Sequence, residues 1–442
     1  MDLDVLVIGF GKAGKTLAMK RGAAGDRVAI VEQSPAMYGG TCINIACVPT
    51  KRLLTEALRG TDWVTAREGR NAFIDKLNAV NKKMALDKNV AVIDGHAEFT
   101  GPHSVRVTGG TDTLDITAST IIINTGALPN KLDVPGADAA FVYDSTTIQQ
   151  VKAAPQNLVI VGGGPIGLEF ATMFNGFGSH VTVLDAGEQL LPRYGADIRT
   201  GVEEELARVG ITVVHGARVK AIEEGAVRYL VAGAEHTVPA TAVLAAIGRH
   251  PATDGLGLEA AGIKVTERGA IAVDEHMRTN VEGVYAAGDV TGHAQFTYAS
   301  YDDFRIIRSD RWGEGTRTAS GRLLPVTTFI NPPLASVGMN EEEAREEAEE
   351  KGYELKVAAA DVAAMAIVPR PKILGMPQGR AKILVDATHD RILGATLWMT
   401  DAQELINTVA LAMREGVPAS HLGSGIYTHP ASSEVFNALL EN

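Results

Sequence analysis

Cysteine is the scarcest informative residue in this chain. Only two of 442 residues are cysteine, Cys42 and Cys47, and aromatic residues make up 5%. A framework of structural disulfides is excluded, and so is any relay through a third thiol. Long hydrophobic runs are also missing: Leu158 to Val161 and Thr120 to Ile123 fall far short of the roughly 20 apolar residues a bilayer span requires. The first residues, Met1 to Ile8, have no basic stretch and their apolar run stops at Gly9, so they read as a strand and not as a signal peptide. A cytoplasmic protein is expected. A cationic excess is absent as well, because the net charge is −12. Nucleic acid and an anionic membrane surface are thereby disfavoured as partners, since both need a basic footprint.

What the chain does contain is 45% hydrophobic residues and 47 glycines. That composition fits a globular α/β protein with many tight turns. Its length exceeds what one core usually organises, so two to three domains are expected. In a reducing compartment two neighbouring cysteines rarely form a structural bridge. A catalytic pair is the better reading of Cys42 and Cys47.

Two segments repeat one pattern. Val5 to Ile8 runs into Gly9-Phe10-Gly11-Lys12-Ala13-Gly14 and, later, Val28 to Glu32; Leu158 to Val161 runs into Gly162-Gly163-Gly164-Pro165-Ile166-Gly167 and then Val181 to Asp185. Each reads as strand, glycine turn, helix and second strand ending in an acid, the βαβ fingerprint of a dinucleotide site. The first glycine makes the tight turn, the second lets backbone approach pyrophosphate, and the third allows close helix packing. Glu32 and Asp185 stand where a carboxylate accepts from ribose hydroxyls. A lone fingerprint could be a structural turn, but two complete copies favour two dinucleotide sites.

Between the copies, Val90 to Ile93 and Ser104 to Val107 read as strands of a meander, and Thr120 to Gly126 as a strand returning to the first sheet. Pro129, Pro135 and Gly136 mark a linker. Gly283 to Asp289 reads as a further strand ending in Gly-Asp, which suggests that the first domain is completed discontinuously. From about Pro325 strands such as Lys382 to Val385 alternate with helices such as Ala402 to Arg414, a third, α+β domain. The acidic run Glu341 to Lys351 is tempting as a cation site but reads better as a solvated helix face with intrahelical ion pairs.

Around the cysteines the sequence is Gly39-Gly40-Thr41-Cys42-Ile43-Asn44-Ile45-Ala46-Cys47-Val48-Pro49-Thr50-Lys51. In an ideal helix residues at this spacing would lie about 8 to 9 Å apart, beyond disulfide reach. The segment must be kinked, and Pro49 is consistent with that. This stretch closely resembles the signature of the pyridine nucleotide disulfide oxidoreductases, and the resemblance extends over essentially the whole chain. Thr125-Gly126 resembles that family's strand-end motif, Ala246-Ile247-Gly248-Arg249 the end of its NAD domain, Ala287-Gly288-Asp289-Val290 its flavin motif, and Thr428 to Glu434 its His-Pro motif.

The resemblance implies two Rossmann-like domains of the glutathione reductase kind plus a C-terminal α+β dimerisation domain. FAD binding would occupy 1–150 and 263–324, NAD(P) binding 151–262, and dimerisation 325–442. It implies electrons passing from NAD(P)H through FAD to the cysteine pair, with Cys42 as the interchange thiol and Cys47 facing the flavin. Lys51 would pair with Glu169 beside the flavin, and His429, oriented by Glu434, would arrive from the partner of a homodimer. FAD would be held by Gly9, Gly11, Ala13, Gly14, Glu32, Gly40, Thr41, Lys51, Ala97, Thr125, Gly126, Gly288 and Asp289, and Gly248, at the end of the NAD domain, is a further cofactor-binding residue. The nicotinamide cofactor would be held by Gly162, Gly164, Ile166, Gly167 and Asp185.

Asp185 favours NADH, because a carboxylate repels a 2′-phosphate; Arg193 is the nearest cation and leaves room for NADPH. The acceptor is expected to be a small molecule or a metal ion. Within the family, Gly9 to Ala18, Ala36 to Ile45, Phe296-Thr297-Tyr298 and Asp302 to Ile306 resemble the bacterial reactive-chlorine-resistance flavoproteins, associated with reduction of copper(II). This implies copper(II) or mercury(II) as acceptor under oxidative stress, with Cys42 and Cys47 as transient soft ligands. A small-disulfide reductase of the dihydrolipoamide or glutathione type is the alternative, and a flavin-loaded redox sensor or complex subunit a second. Ala46, Asn124, Asn331-Pro332-Pro333 and Ala431 depart from the family pattern.

Overall fold

The structure, a computed structural model, describes residues 1–109 and 112–441. Two compact units divide the chain. The first gathers Met1–Lys131, Asp144–Lys152 and Ile247–Arg322; the second holds Leu132–Tyr143, Ala153–Ala246 and Leu323 onward. The architecture is mixed α/β, as expected.

In the first unit the strand Asp2–Ile8 lies inside a seven-stranded sheet between Val28–Glu32 and Asp112–Ile123, parallel to both. Val5, Leu6, Val7 and Ile8 are all buried. Burial on both faces explains why the run is continuously apolar and does not alternate. Val284–Ala286 adds a further parallel strand beside Ile121 to Ile123, so this sheet is completed from far downstream.

One expectation needs correction. Val90–Asp94 pairs in parallel with Val28–Glu32 and belongs to the main sheet. The antiparallel meander consists of His96–Gly101, Ser104–Gly109 and the first half of Asp112–Ile123. Gly95 separates the two arrangements at φ 159, and a Cβ there would lie 2.9 Å from the carbonyl oxygen of Thr108. Both arrangements belong to the same seven-stranded sheet; a short apolar run does not specify which neighbour it pairs with or in which direction.

The second unit contains the second fingerprint. Its parallel sheet runs in the order Thr212–Val214, His180–Leu184, Asn157–Val161, Ala242–Ala245, Val142–Tyr143, and a three-stranded antiparallel ribbon spans Arg218 to Pro239. Beyond Leu323 an antiparallel five-stranded sheet orders Val326–Thr328, Leu334–Gly338, Arg391–Trp398, Arg380–Asp386 and Leu355–Asp361. Helix Ala402–Arg414 packs Leu405, Ile406 and Val409 into its core. Glu341–Lys351 is the expected charged helix: Asn340 and Glu343 form a capping box, and Glu341–Arg345 and Glu347–Lys351 are ion pairs one turn apart.

Candidate active site

The first fingerprint builds one wall of the site. Gly9 has φ 92, open to glycine without strain. A Cβ on Gly14 would come within 2.5 Å of Val7 Cγ1, so the third glycine sets the helix against the strand. A Cβ on Gly11 would overlap the side chain of Asn124. Asn124 is buried; its Oδ1 accepts from the Gly14 N–H at 2.9 Å and its Nδ2 donates to the Ala287 carbonyl at 2.6 Å. The residue that departs from the family pattern therefore joins the fingerprint helix to the Gly288-Asp289 motif.

Two adjoining clefts of about 180 and 270 Å³ share Gly9, Glu32, Gln33, Thr125 and Leu128 and form one elongated groove. One end reaches His96 and Ala97. The other is lined by Gly40, Thr41, Cys42, Cys47, Asp289 and Thr297, with Gly11, Gly126 and Gly288 along its wall. Glu32 accepts from the Phe10 N–H at 3.0 Å and from the Ser34 N–H at 3.1 Å, and burial raises its pKa. Burial likewise raises that of Asp289, against the pull of the Arg249 cation. Ala13 is buried behind the groove, and Gly248 accepts from the Asn130 N–H at 3.0 Å.

The cysteine segment is broken as its spacing requires. Helix Thr41–Asn44 ends at Ile45, and Ala46, at φ −102 and ψ −96, precedes a second helix, Cys47–Leu58. Across this break the two thiols line one groove and act on each other's ionisation. Cys42 is half-buried, whereas Cys47 opens to solvent through the groove. The hydrogen bond from Cys42 lowers the Cys47 pKa to about 6, aided by Thr297 and the Lys51 cation, while burial opposes the shift. Cys42 is pushed the other way, first by donating to Cys47 and then by burial. The pair is thus polarised toward a thiolate on Cys47.

Thr297 was not singled out for a role in the sequence. Its Oγ1 lies 3.4 Å from Cys47 Sγ at the start of helix Thr297–Trp312, beside the stacked Phe296 and Tyr298 rings. The Phe-Thr-Tyr motif was the only signal for it.

The remaining expected residues lie in the second unit. Gly162 has φ 109, and a Cβ on Gly167 would overlap the Gly162 carbonyl, whereas space beside Gly164 is open. Ile166 sits in the first turn of helix Pro165–Gly176. Asp185 accepts from the Gly187 N–H at 3.2 Å, and Arg193 is turned to the Gly338 carbonyl at 3.3 Å. Glu169 accepts from the Phe329 N–H at 3.0 Å. His429 Nδ1 lies 2.8 Å from Glu434 Oε1. Glu434 Oε2 accepts from the Ala431 N–H at 2.9 Å, and these two contacts, the backbone one first, lower its pKa.

Residues 3–303 match the family described as pyridine nucleotide-disulphide oxidoreductase. The chain belongs to this family. Residues 324–440 match the dimerisation domain of the pyridine nucleotide-disulphide oxidoreductases. A probable pyridine nucleotide-disulfide oxidoreductase of Escherichia coli K12, RclA, is 44% identical over 439 residues, covering 99% of this chain and 98% of its own. Mercuric reductase of Staphylococcus aureus is 30% identical, covering 95% of this chain and 79% of its own. Glutathione reductase of Burkholderia cepacia is 31% identical, with coverages of 99% and 98%. A solved structure described as the Cu(II) complex of HOCl-induced flavoprotein disulfide reductase RclA from Escherichia coli superposes with a TM-score of 0.94 at 43% identity, covering 100% of this chain and 99% of that one. The chain is therefore an oxidoreductase of a family that works with FAD and NAD(P)H. Among the described residues no helix is long and apolar enough to cross a membrane.

Proposed function

We propose that this protein is an NADH-dependent flavoenzyme that delivers electrons through Cys42 and Cys47 to a metal ion, copper(II) or mercury(II), in resistance to oxidative, reactive-chlorine stress. The observation that carries the reading is a polarised thiol pair, with Cys47 as thiolate and Cys42 as its neutral donor, opening onto the groove in a chain with no other cysteine. Two soft sulfur ligands suit copper or mercury better than a hard ion. Similarity to a protein solved as a Cu(II) complex points the same way.

FAD fits the elongated groove: Gly9 and Gly11 bring backbone without side chains along it, packed against Asn124, and Glu32 stands where the ribose would be held. When bound, FAD supplies the electron transfer that side chains cannot perform. Gly14, Gly40, Thr41, Ala97, Thr125, Gly126, Gly288 and Asp289 complete that site. Gly162, Gly164, Ile166, Gly167 and Asp185 hold the nicotinamide cofactor. NADH is preferred, because Asp185 offers a carboxylate to ribose hydroxyls while Arg193 is committed to the Gly338 carbonyl. The Lys51 cation favours the thiolate form of Cys47. Cys42 meets the acceptor. His429 of the second subunit, held by Glu434, takes and returns the proton at the Cys42 sulfur.

A small-disulfide reductase is the second reading, favoured by the likeness to glutathione reductase. Anaerobic mixing with NADH, followed by copper(II), mercury(II), oxidised glutathione and lipoamide in parallel, separates the two. NADH oxidation with copper above the metal-free rate is expected; oxidation by a disulfide alone would sink the metal-reductase reading.

A further inference from the structure

The break that brings the two thiols together has a local cause and a remote support. In a continuous helix the N–H of residue 49 would donate to the carbonyl of Ile45. Pro49 has no N–H, and its ring crowds the carbonyl four residues back. The helix therefore breaks at Ile45 and Ala46, and the Ile45 carbonyl loses its ladder donor. Gln149 supplies one: its Nε2 donates to Ile45 O at 2.8 Å and to Ser145 O at 2.6 Å. Gln149 is fully buried, at 0% exposure. Its Oε1 in turn accepts from Nη2 of Arg70 at 3.1 Å, and Arg70 is itself 3% exposed. Both amide hydrogens and the amide oxygen are thus used, which fixes the side chain in one orientation.

Gln149 lies on Asp144–Lys152, the short segment of the first unit with second-unit chain on both sides. Helix Trp63–Leu86 grips this segment at two points, Arg70 on Gln149 and, at the Val151 carbonyl, the Trp63 indole and Arg67, which donate at 2.9 and 3.0 Å. The donor at Ile45 is consequently presented from a clamped element.

We propose that Gln149 is a positioning residue of the redox pair: its amide replaces the hydrogen bond Pro49 cannot make at Ile45 O and so holds the helix break at which Cys42 and Cys47 meet. This rests on the reading of Cys42 and Cys47 as a redox couple. A held break keeps the two sulfurs close and raises their effective concentration for one another, which favours the disulfide. Loss of the Gln149 amide lets the break relax and shifts the couple toward the dithiol.

The test uses FAD-loaded protein in glutathione buffers, where protein disulfide plus two glutathione thiols exchange for protein dithiol plus oxidised glutathione, with trapping by alkylation. Gln149→Leu keeps the volume and removes the donors. Its equilibrium constant should move toward dithiol by about five- to tenfold, the scale of one buried hydrogen bond. Arg70→Met, which leaves the donors but frees the amide, should move it about threefold in the same direction, and it decides the matter where Gln149→Leu does not accumulate as folded flavoprotein. An equilibrium within twofold of wild type, with only the thermal midpoint lowered, overturns the proposal and leaves Gln149 a structural residue. Failure of the wild-type pair to form a disulfide in any buffer would instead remove the redox-couple reading, and this proposal with it.

Discussion

Thr297 Oγ1 lies 3.4 Å from the sulfur of Cys47, so the first turn of one helix supplies a hydroxyl to a thiolate on another. The contact joins residues far apart in the chain. Together with the Cys42 thiol it lowers the pKa of Cys47, while that of Cys42 is raised.

The pH dependence follows from that. Cys47 should react with iodoacetamide at a rate that holds above about pH 6 and falls as pH drops through that value, because only the thiolate is the nucleophile. Thr297→Val removes one donor and should move the midpoint upward by about half to one unit. An unchanged midpoint would show that the hydroxyl does not stabilise the thiolate.

Glu434→Gln should leave flavin content and NADH binding unchanged. The His429 ring would lose its carboxylate partner, and turnover with the acceptor should fall roughly 10²-fold. Equal losses in NADH binding would assign Glu434 a structural role instead.

Asn124→Ala leaves the Gly14 N–H and the Ala287 carbonyl without their partners. A stability loss of about 2 kcal/mol is expected, with weaker retention of FAD on dialysis. Denaturant titration and the absorbance of the dialysed protein measure the two effects separately.

Lys382 is buried between Asp197 and Glu341, at 2.9 and 2.6 Å. Burial works against the charge of Asp197, but Lys382 and Arg380 prevail and lower its pKa; Lys382, with Arg345, lowers that of Glu341. Carboxylates depressed in the folded state stabilise it above their unfolded pKa values, and the benefit is lost as pH falls through the folded ones. Lys382→Met should therefore cost about 2 kcal/mol at pH 7, less than a fully enclosed pair because both carboxylates are partly exposed. Denaturation at pH 7 and at pH 3 should show that penalty shrinking with acid.

Much of the site was legible in the sequence because its rules are local. Gly9 and Gly162 stand where backbone at positive φ is needed, the apolar runs before them enter parallel strands buried on both faces, and the interval from Cys42 to Cys47 demands a break that Pro49 enforces at Ile45. His429 and Glu434 meet through a turn only a few residues long. Val90 to Ile93 reads from the sequence as a meander strand, whereas it pairs in parallel with Val28–Glu32 at the other end of the same sheet, because four apolar residues carry no information about which neighbour they pair with.

The sequence by itself determined two dinucleotide fingerprints, a kinked pair of cysteines and a family, all of them consequences of backbone torsions and short-range pattern. Tertiary packing alone decided that Thr297 supports the Cys47 thiolate, that Asn124 joins the fingerprint to the Gly288 turn, and that Gln149 answers the carbonyl Pro49 leaves unpaired. Those contacts join segments far apart in the chain, so they form only where the fold brings the partners within reach.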